Sequence, residues 1–440
     1  MDLKSKKRYR ALRDTSRPIG TIKNELPIGN LNQGNLIYLC NIMKIGIIRE
    51  GKLPPDKRTP LVPHQCYELM NNYPNVSVVV QPSPHRCFNE DEFARYGCEI
   101  KEDLSDCDVL MGIKEVPIAE LISNKIYFFF SHTIKKQVHN RKLLREILTK
   151  KITLIDYETL VWENGSRIIG FGRFAGIVGT HNGFLTYGKK FELYHLKAAH
   201  ECRNFLELKL QYKPIALPNI KICLAGDGRV GHGALEMLQY LNIREVTKRE
   251  YLNSTFEEPV FVHLRVDDLY SRKDGMAWDK ADFYHHPELY ECKFQPYYST
   301  TDLMINAIFW KQGIPVFFTK EEMKNASFAI DVIADITCDI DGSIPCTVKS
   351  TTIENPVFGW HSLSEKVVEP FLKHTVDVMA VGNLPCELPL DASTEFGTFL
   401  IHHVLPELID NENGFIINHA TIAKEGSLTE SYRYLQDYVE

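Results

Sequence analysis

From Met43 onward the chain alternates short apolar runs with segments whose apolar residues recur at helical spacing. Lys44–Ile48, Val76–Gln81, Val109–Ile113, Ile126–Phe130 and Ile152–Ile155 read as strands. Their apolar positions run on almost without a polar break, as in strands covered on both faces by helices. Pro63–Asn71, Asn89–Tyr96 and His139–Thr149 between them read as helices, and this succession predicts an α/β domain with a parallel sheet. Gly172–Gly188, built of small and apolar residues, predicts a long helix that continues with charged positions through Phe191–Leu210 and links two domains. A second unit opens with the strand Ile220–Ala225, followed by Gly226-Asp-Gly-Arg-Val-Gly231 and a helix over Ala234–Leu241. The expected architecture is α/β, with two Rossmann-like domains whose parallel sheets flank an active-site cleft. The first spans 43–176 and is completed by about 357–440; the second spans 177–356. Residues 1–42 start basic, are rich in Asn, Gly and Pro, and lack periodicity until Leu36–Cys40. They read as a disordered extension.

The glycine run changes the picture, because it follows a strand and opens a helix, the context a dinucleotide-binding loop requires. Gly226 permits the tight turn, Gly228 lets a pyrophosphate approach the backbone, and Gly231 lets helix and strand pack closely. Arg229 and Val230, in the same loop, face the phosphates with the helix N-terminus. An acidic residue about 20 positions on would hold the ribose 2′-hydroxyl of NAD. That position falls near Thr247, followed by Lys248 and Arg249. A neutral and then basic pattern favours NADP(H), while Glu245 and Glu250 lie near enough to keep NAD(H) open.

Candidate chemistry gathers between Gly112 and Gly176. Lys114 and His132 stand just after apolar strands, with Lys135, Glu158 and Arg167 close behind. Polar residues at the ends of buried strands are how an α/β domain lines a cleft, and Lys, His and Arg together suit chemistry on a carboxylated amine. Composition narrows the rest. With 440 residues there is length for two or three domains, and 51 basic against 57 acidic residues give no electrostatic case for nucleic acid. The apolar runs are too short to span a bilayer. The 11 cysteines contain no CxxC pair, and they read as reduced thiols of a soluble cytoplasmic protein. No metal is implied, since His285 and His286 lack further ligands at recognisable spacing.

Several stretches resemble a known family. FFSHTIK, LIDYE, the Arg167–Gly176 run, Asp282–Tyr290 with its HPELY, Leu303–Trp310, Asp335–Ser343, Ser350–Pro356 and Gly382–Pro385 resemble the lysine–ketoglutarate reductase module of bifunctional aminoadipic semialdehyde synthase. More distantly the chain is similar to lysine-forming saccharopine dehydrogenase and alanine dehydrogenase. The resemblance runs from about Met43 to the C-terminus, and the HPELY excursion between Arg249 and Thr300 favours the reductase module. It implies reversible condensation and reduction of L-lysine and 2-oxoglutarate to saccharopine. It also implies Lys114 and His132 as the acid–base pair, tuned by Glu115 and Glu158. Arg58 and Arg167 would hold carboxylates, with Lys135, Gln137, Phe171, Asp335 and Thr337 as further substrate contacts. Ala334, Gly382, Asn383 and Leu384 would close the cofactor pocket, and Asp339 aligns with an aspartate assigned a catalytic role in alanine dehydrogenase. Thr247 stands where the monofunctional enzyme carries its NAD-selecting aspartate. The alternatives are an amino-acid dehydrogenase of the alanine dehydrogenase type and a non-catalytic dinucleotide-binding sensor. The oligomeric state is open.

Overall fold

The computed structural model describes residues 42–410 and 414–440. The expected N-terminal extension, apart from Ile42, lies outside the described residues. Two eight-stranded sheets organise the remainder. The first domain supplies β1 (Met43–Ile47), β2 (Val76–Val80), β3 (Glu99–Ile100), β4 (Val109–Met111), β5 (Ile126–Phe129) and β6 (Thr153–Asp156). The second supplies β7 (Lys221–Ala225), β8 (Arg244–Glu245), β9 (Val260–Leu264), β12 (Leu303–Asn306), β13 (Val332–Asp335), β14 (Val357–His361), β15 (Lys366–Val368) and β16 (Val376–Met379). A separate two-stranded ribbon joins β10 (Tyr270–Arg272) to β11 (Tyr290–Cys292). The chain then returns to the first sheet with β17 (Thr421–Lys424) and β18 (Ser427–Leu428).

Strand order in the first sheet is β18-β17-β6-β5-β4-β1-β2-β3, and in the second β15-β14-β16-β13-β12-β7-β9-β8. β1 to β6 pair in parallel, which places the loops after β1, β4, β5 and β6 along one edge. Helices cover the faces for the reason their patterns announce. Arg141–Thr149 buries Leu143, Leu144 and Ile147 along one stripe and turns its charges outward. Glu90–Arg95 starts at Asn89, whose side chain accepts from Glu92 N while Glu92 reaches back to Asn89 N.

The long helix runs Gly172–Lys190 and is buried over most of its length. Its glycines let it lie backbone against backbone on the helix Arg229–Tyr240. A Cβ at Gly176 would sit 2.0 Å from Val230 O, and one at Gly233 would sit 2.0 Å from Arg173 O. The helix does not continue through Phe191–Leu210 as its charge pattern suggested. Glu192 takes a left-handed φ of 54°, and the chain folds back so that Tyr194 packs over Gly188 and donates to Phe184 O. Between that turn and Leu210 the chain is helical only as one 3-10 turn, Ala199–Glu201, and the short α-helix Phe205–Leu210.

The expected return at residue 357 is also corrected. β14, β15 and β16 belong to the second sheet, where β16 pairs in parallel with β13 and β14 lies antiparallel on its outer edge. The outer edge of β13 needed a partner, and the fully buried run Val376–Met379 provides it. The chain re-enters the first domain only after β16. There Phe396, Leu400 and Val404 join the core around Ile45, Val78 and Phe128.

Candidate active site

The edge of the first sheet at the carboxyl ends of its parallel strands is where ligands bind in such sheets. β1 leads to Glu50, Asp56 and Arg58, β4 to Lys114 and Glu115, β5 to His132, and β6 to Glu158. Glu115 ties His132, one of the acid–base candidates, to Lys52. Its Oε1 lies 2.7 Å from His132 Nδ1, and its Oε2 accepts from Lys52 Nζ at 2.6 Å. Burial works upward on this carboxyl, but His132 and Lys52 outweigh it and hold it at about 2. An ionised Glu115 requires Nδ1–H to be the donor, which leaves Nε2 of His132 for a substrate. His132 itself has a left-handed φ of 53°, an uncommon state for a non-glycine residue that recurs at functional sites.

Lys114 has no hydrogen-bond partner for its Nζ among the described residues. Burial first, and the Arg58 charge second, push its ammonium below the usual range. Glu50, which the sequence reading passed over, sits directly behind it. Its carboxylate accepts from the backbone N–H groups of Ile113 (2.6 Å) and Lys114 (2.8 Å), and burial together with Asp56 raises it to about 7. Nothing in a lone glutamate after a strand signals that role.

Arg58 is buried, and its fork is already engaged. Nε donates to Asp56 Oδ1 at 2.9 Å, while Nη2 donates to Asp56 Oδ2 at 2.6 Å and to Asn383 Oδ1 at 2.9 Å. Nη1 is the edge of the fork without a protein partner among the described residues. The guanidinium lies 4.1 Å over the Phe171 ring, which stacks in turn on Phe396 at 4.6 Å. Glu158 collects a second cation pair: its Oε1 lies 3.0 Å from Lys135 Nζ and 3.1 Å from Arg167 Nη2. Burial raises this carboxyl and Lys135 and Arg167 more than reverse it, holding it below its usual range. Glu158 Oε2 is buried with no partner. A buried carboxylate oxygen left unpaired marks a place for a donor the protein does not supply.

Beside this cluster lies a cleft of about 940 Å³. Lys135 and Gln137 line it from the first domain, and Gly226–Val230, Thr337 and Asp339 from the second. The glycine loop fits a pyrophosphate. Gly226 has a φ of 114°, and a Cβ there would meet Ala307 O at 2.5 Å; a Cβ at Gly231 would meet Gly226 O at 2.2 Å. At Gly228 a Cβ would meet nothing within 4 Å, so that backbone is open to the cleft. Arg229 donates from Nη2 to the Arg167 carbonyl, joining the loop to the segment that carries Arg167.

Other expected contacts are placed elsewhere. Asp335 is buried at the end of β13 and turned inward, accepting from Asn306 Nδ2 (2.8 Å), Thr347 Oγ1 (2.6 Å) and Cys338 N (3.2 Å). Burial raises it to about 6. It supports the Thr337–Asp339 turn and is not a cleft residue, and Ala334 is likewise fully buried. Asn383 spends its amide on Arg58 and Asp56, and Leu384 packs near Gly179. Of that trio Gly382 alone keeps open space around its Cα. Thr247 and Lys248 do not line the cleft. Thr247 caps the helix Lys248–Asn253 by accepting from Glu250 N, and Lys248 pairs with Asp268. Their strand, β8, lies at the sheet edge with β9 between it and β7.

The structure matches that of L-alanine dehydrogenase over 90% of this chain and all of that one, with a TM-score of 0.60 at 15% identity. The fold is that of alanine dehydrogenase. Residues 46–178 match the family described as alanine dehydrogenase/PNT, N-terminal domain. Alpha-aminoadipic semialdehyde synthase of Arabidopsis thaliana is 30% identical over 89% of this chain and 41% of its own length. The mitochondrial alpha-aminoadipic semialdehyde synthase of Mus musculus is 29% identical over 87% of the chain and 46% of its own length. The chain thus spans less than half the length of these relatives. The lysine-forming, NAD(+) saccharopine dehydrogenase of Yarrowia lipolytica is 24% identical over 81% of the chain and 90% of that enzyme. The resemblance drawn from the motifs is met in these relatives. No helix among the described residues is long and apolar enough to cross a membrane. The mouse relative's mitochondrial label lends no support to the cytoplasmic expectation.

Proposed function

We propose that the chain is a lysine-forming saccharopine dehydrogenase, or lysine–ketoglutarate reductase. It would join L-lysine to 2-oxoglutarate and reduce the product to saccharopine, reversibly. The observation that carries this is the cluster on the rim of the dinucleotide cleft. It holds Lys114, His132 anchored by Glu115, two arginines for carboxylates, and a buried unpaired oxygen of Glu158 that suits an amine. The similarity to aminoadipic semialdehyde synthases and saccharopine dehydrogenases supports the same reading.

In this reading Arg167 and the free edge of Arg58 hold the substrate carboxylates, and Gln137 and Phe171 wall the site. Lys114, whose ammonium burial disfavours, takes a proton from the ε-ammonium of lysine at its own Nζ, freeing the lone pair for attack on the ketone carbon. His132 Nε2 gives a proton to the carbinolamine hydroxyl, which leaves as water. Glu115 holds the imidazole in the tautomer and orientation this requires. A reduced nicotinamide, when bound along Gly226–Gly231, supplies the hydride that the imine carbon receives. Thr337 and Asp339 wall that end of the cleft.

The test is NADPH and NADH oxidation by the purified chain, followed by absorbance, with lysine and 2-oxoglutarate omitted in turn. Oxidation that requires both substrates is the expected outcome. Oxidation with a small 2-oxo acid and ammonia in place of lysine would replace this reading with an alanine dehydrogenase-like one.

A further inference from the structure

The strand that borders the glycine loop is not the next one in sequence. β7 runs to the glycines, the chain continues through the helix Arg229–Tyr240 to β8 at the sheet edge, and only then comes back as β9 beside β7. Ala225 lies opposite Leu264, and Gly226 N donates to Leu264 O at 2.9 Å. The residue after Leu264 is Arg265. It therefore stands beside the glycine loop at the carboxyl end of the neighbouring strand. In a dinucleotide-binding sheet that is where the adenosine ribose lies, and where an acidic residue accepts from its 2′-hydroxyl when the cofactor is NAD.

Two further observations bear on that position. Arg265 lines the cleft together with Lys280, and neither enters an ion pair among the described residues, whereas Lys248 and Arg272 do. Lys280, Trp278 and Tyr284 come from the excursion between β9 and β12, so this insertion builds the far wall of the same cavity. Asp267 also lines it, two residues beyond Arg265, and is the group that would accept from an unphosphorylated ribose.

We propose that Arg265, assisted by Lys280, receives the 2′-phosphate of NADP(H), and that this pair selects the cofactor in place of Thr247 and Lys248. The inference rests on the dinucleotide reading of the cleft and names the residues that read the cofactor's phosphate. A guanidinium can hold a phosphate by two parallel hydrogen bonds, and a lysine adds a second charge without demanding geometry.

Isothermal titration of the purified chain with NADPH, NADH, adenosine 2′,5′-bisphosphate and AMP tests it without recourse to turnover. NADPH binds more tightly than NADH, and the bisphosphate more tightly than AMP. Arg265→Ser weakens NADPH and the bisphosphate by about tenfold to a hundredfold, as loss of a charged hydrogen bond does. It leaves NADH within about twofold, which also shows that the exposed position is altered without loss of the fold. Lys280→Ala moves the same ligands the same way by less. Thr247→Asp, which keeps a good helix cap, leaves the preference unchanged. Equal losses for both dinucleotides in Arg265→Ser overturn the inference, as does tighter binding of NADH that Asp267→Asn abolishes, or a preference reversed by Thr247→Asp. If the unmodified chain binds neither dinucleotide, the reading of the cleft fails and the inference falls with it.

Discussion

At the scale of single residues, the site is a set of carboxylates each assigned to particular cations. Glu115 serves His132 and Lys52, Glu158 serves Lys135 and Arg167, and Asp56 serves Arg58. Lys114 is left over, and burial keeps it from carrying charge comfortably. That has a consequence for stability as well as for rate. The unfolded chain keeps a proton on Lys114 up to its ordinary pKa of 10.5, whereas the folded chain releases it at lower pH. Between those two values the unfolded state binds more protons, so the folded state gains stability as pH rises. Lys114→Met removes that gain. Thermal unfolding across alkaline pH is expected to show the variant at least as stable as the parent near neutrality and lacking the parent's upward slope. The kcat of the same variant falls by about 10²–10⁴-fold, the usual worth of a positioned acid–base group. The placement of Lys114 and His132 just beyond β4 and β5 was legible because each follows an apolar strand. Glu50 and the inward turn of Asp335 were not, because both depend on which backbone N–H groups and side chains lie opposite, and strand runs do not reveal partners.

Elements tell a similar story of local signals read well and pairings read less well. Five strands of the first sheet and the glycine-loop strand follow directly from their apolar runs. The rule of about 20 residues from glycine to selector assumes that the next strand is the neighbouring one. Here β8 takes the edge and β9 the inner place, so the count landed on a helix cap. The run Val260-Phe-Val-His-Leu264, followed by Arg265, was the available signal, since a strand apolar at all but one position belongs inside a sheet. The long helix was recognised by its small residues, but their purpose appears only in its contact with the glycine-loop helix. There Gly233 meets the carbonyl of Arg173 with no room for a methyl group. Gly233→Ala is expected to destabilise the chain by at least about 1–3 kcal/mol, the common cost of overpacking, because the obstacle is backbone and cannot rotate aside. Denaturant titration measures it; an unchanged midpoint would mean that the two helices can separate at little cost.

For the whole molecule, the decisive feature is that the chain leaves the first domain, builds the second and comes back. β17 pairs antiparallel with β6, and Ile422 is buried among Leu154, Ile152, Tyr432 and Leu435. Ile422→Ala is expected to cost about 2–5 kcal/mol, seen as earlier loss of hydrogen-exchange protection in β5 and β6 than in β7 and β12. The arrangement also sets a schedule for synthesis. Asp156 ends β6 and Thr421 begins its partner, so at about 5–20 residues per second the ribosome needs on the order of tens of seconds to deliver the missing strand. For that interval β6 presents a bare edge of apolar sequence, open to any other chain with a free strand. The hazard of self-association is therefore greatest on the ribosome. It passes once the sheet begun first is closed last.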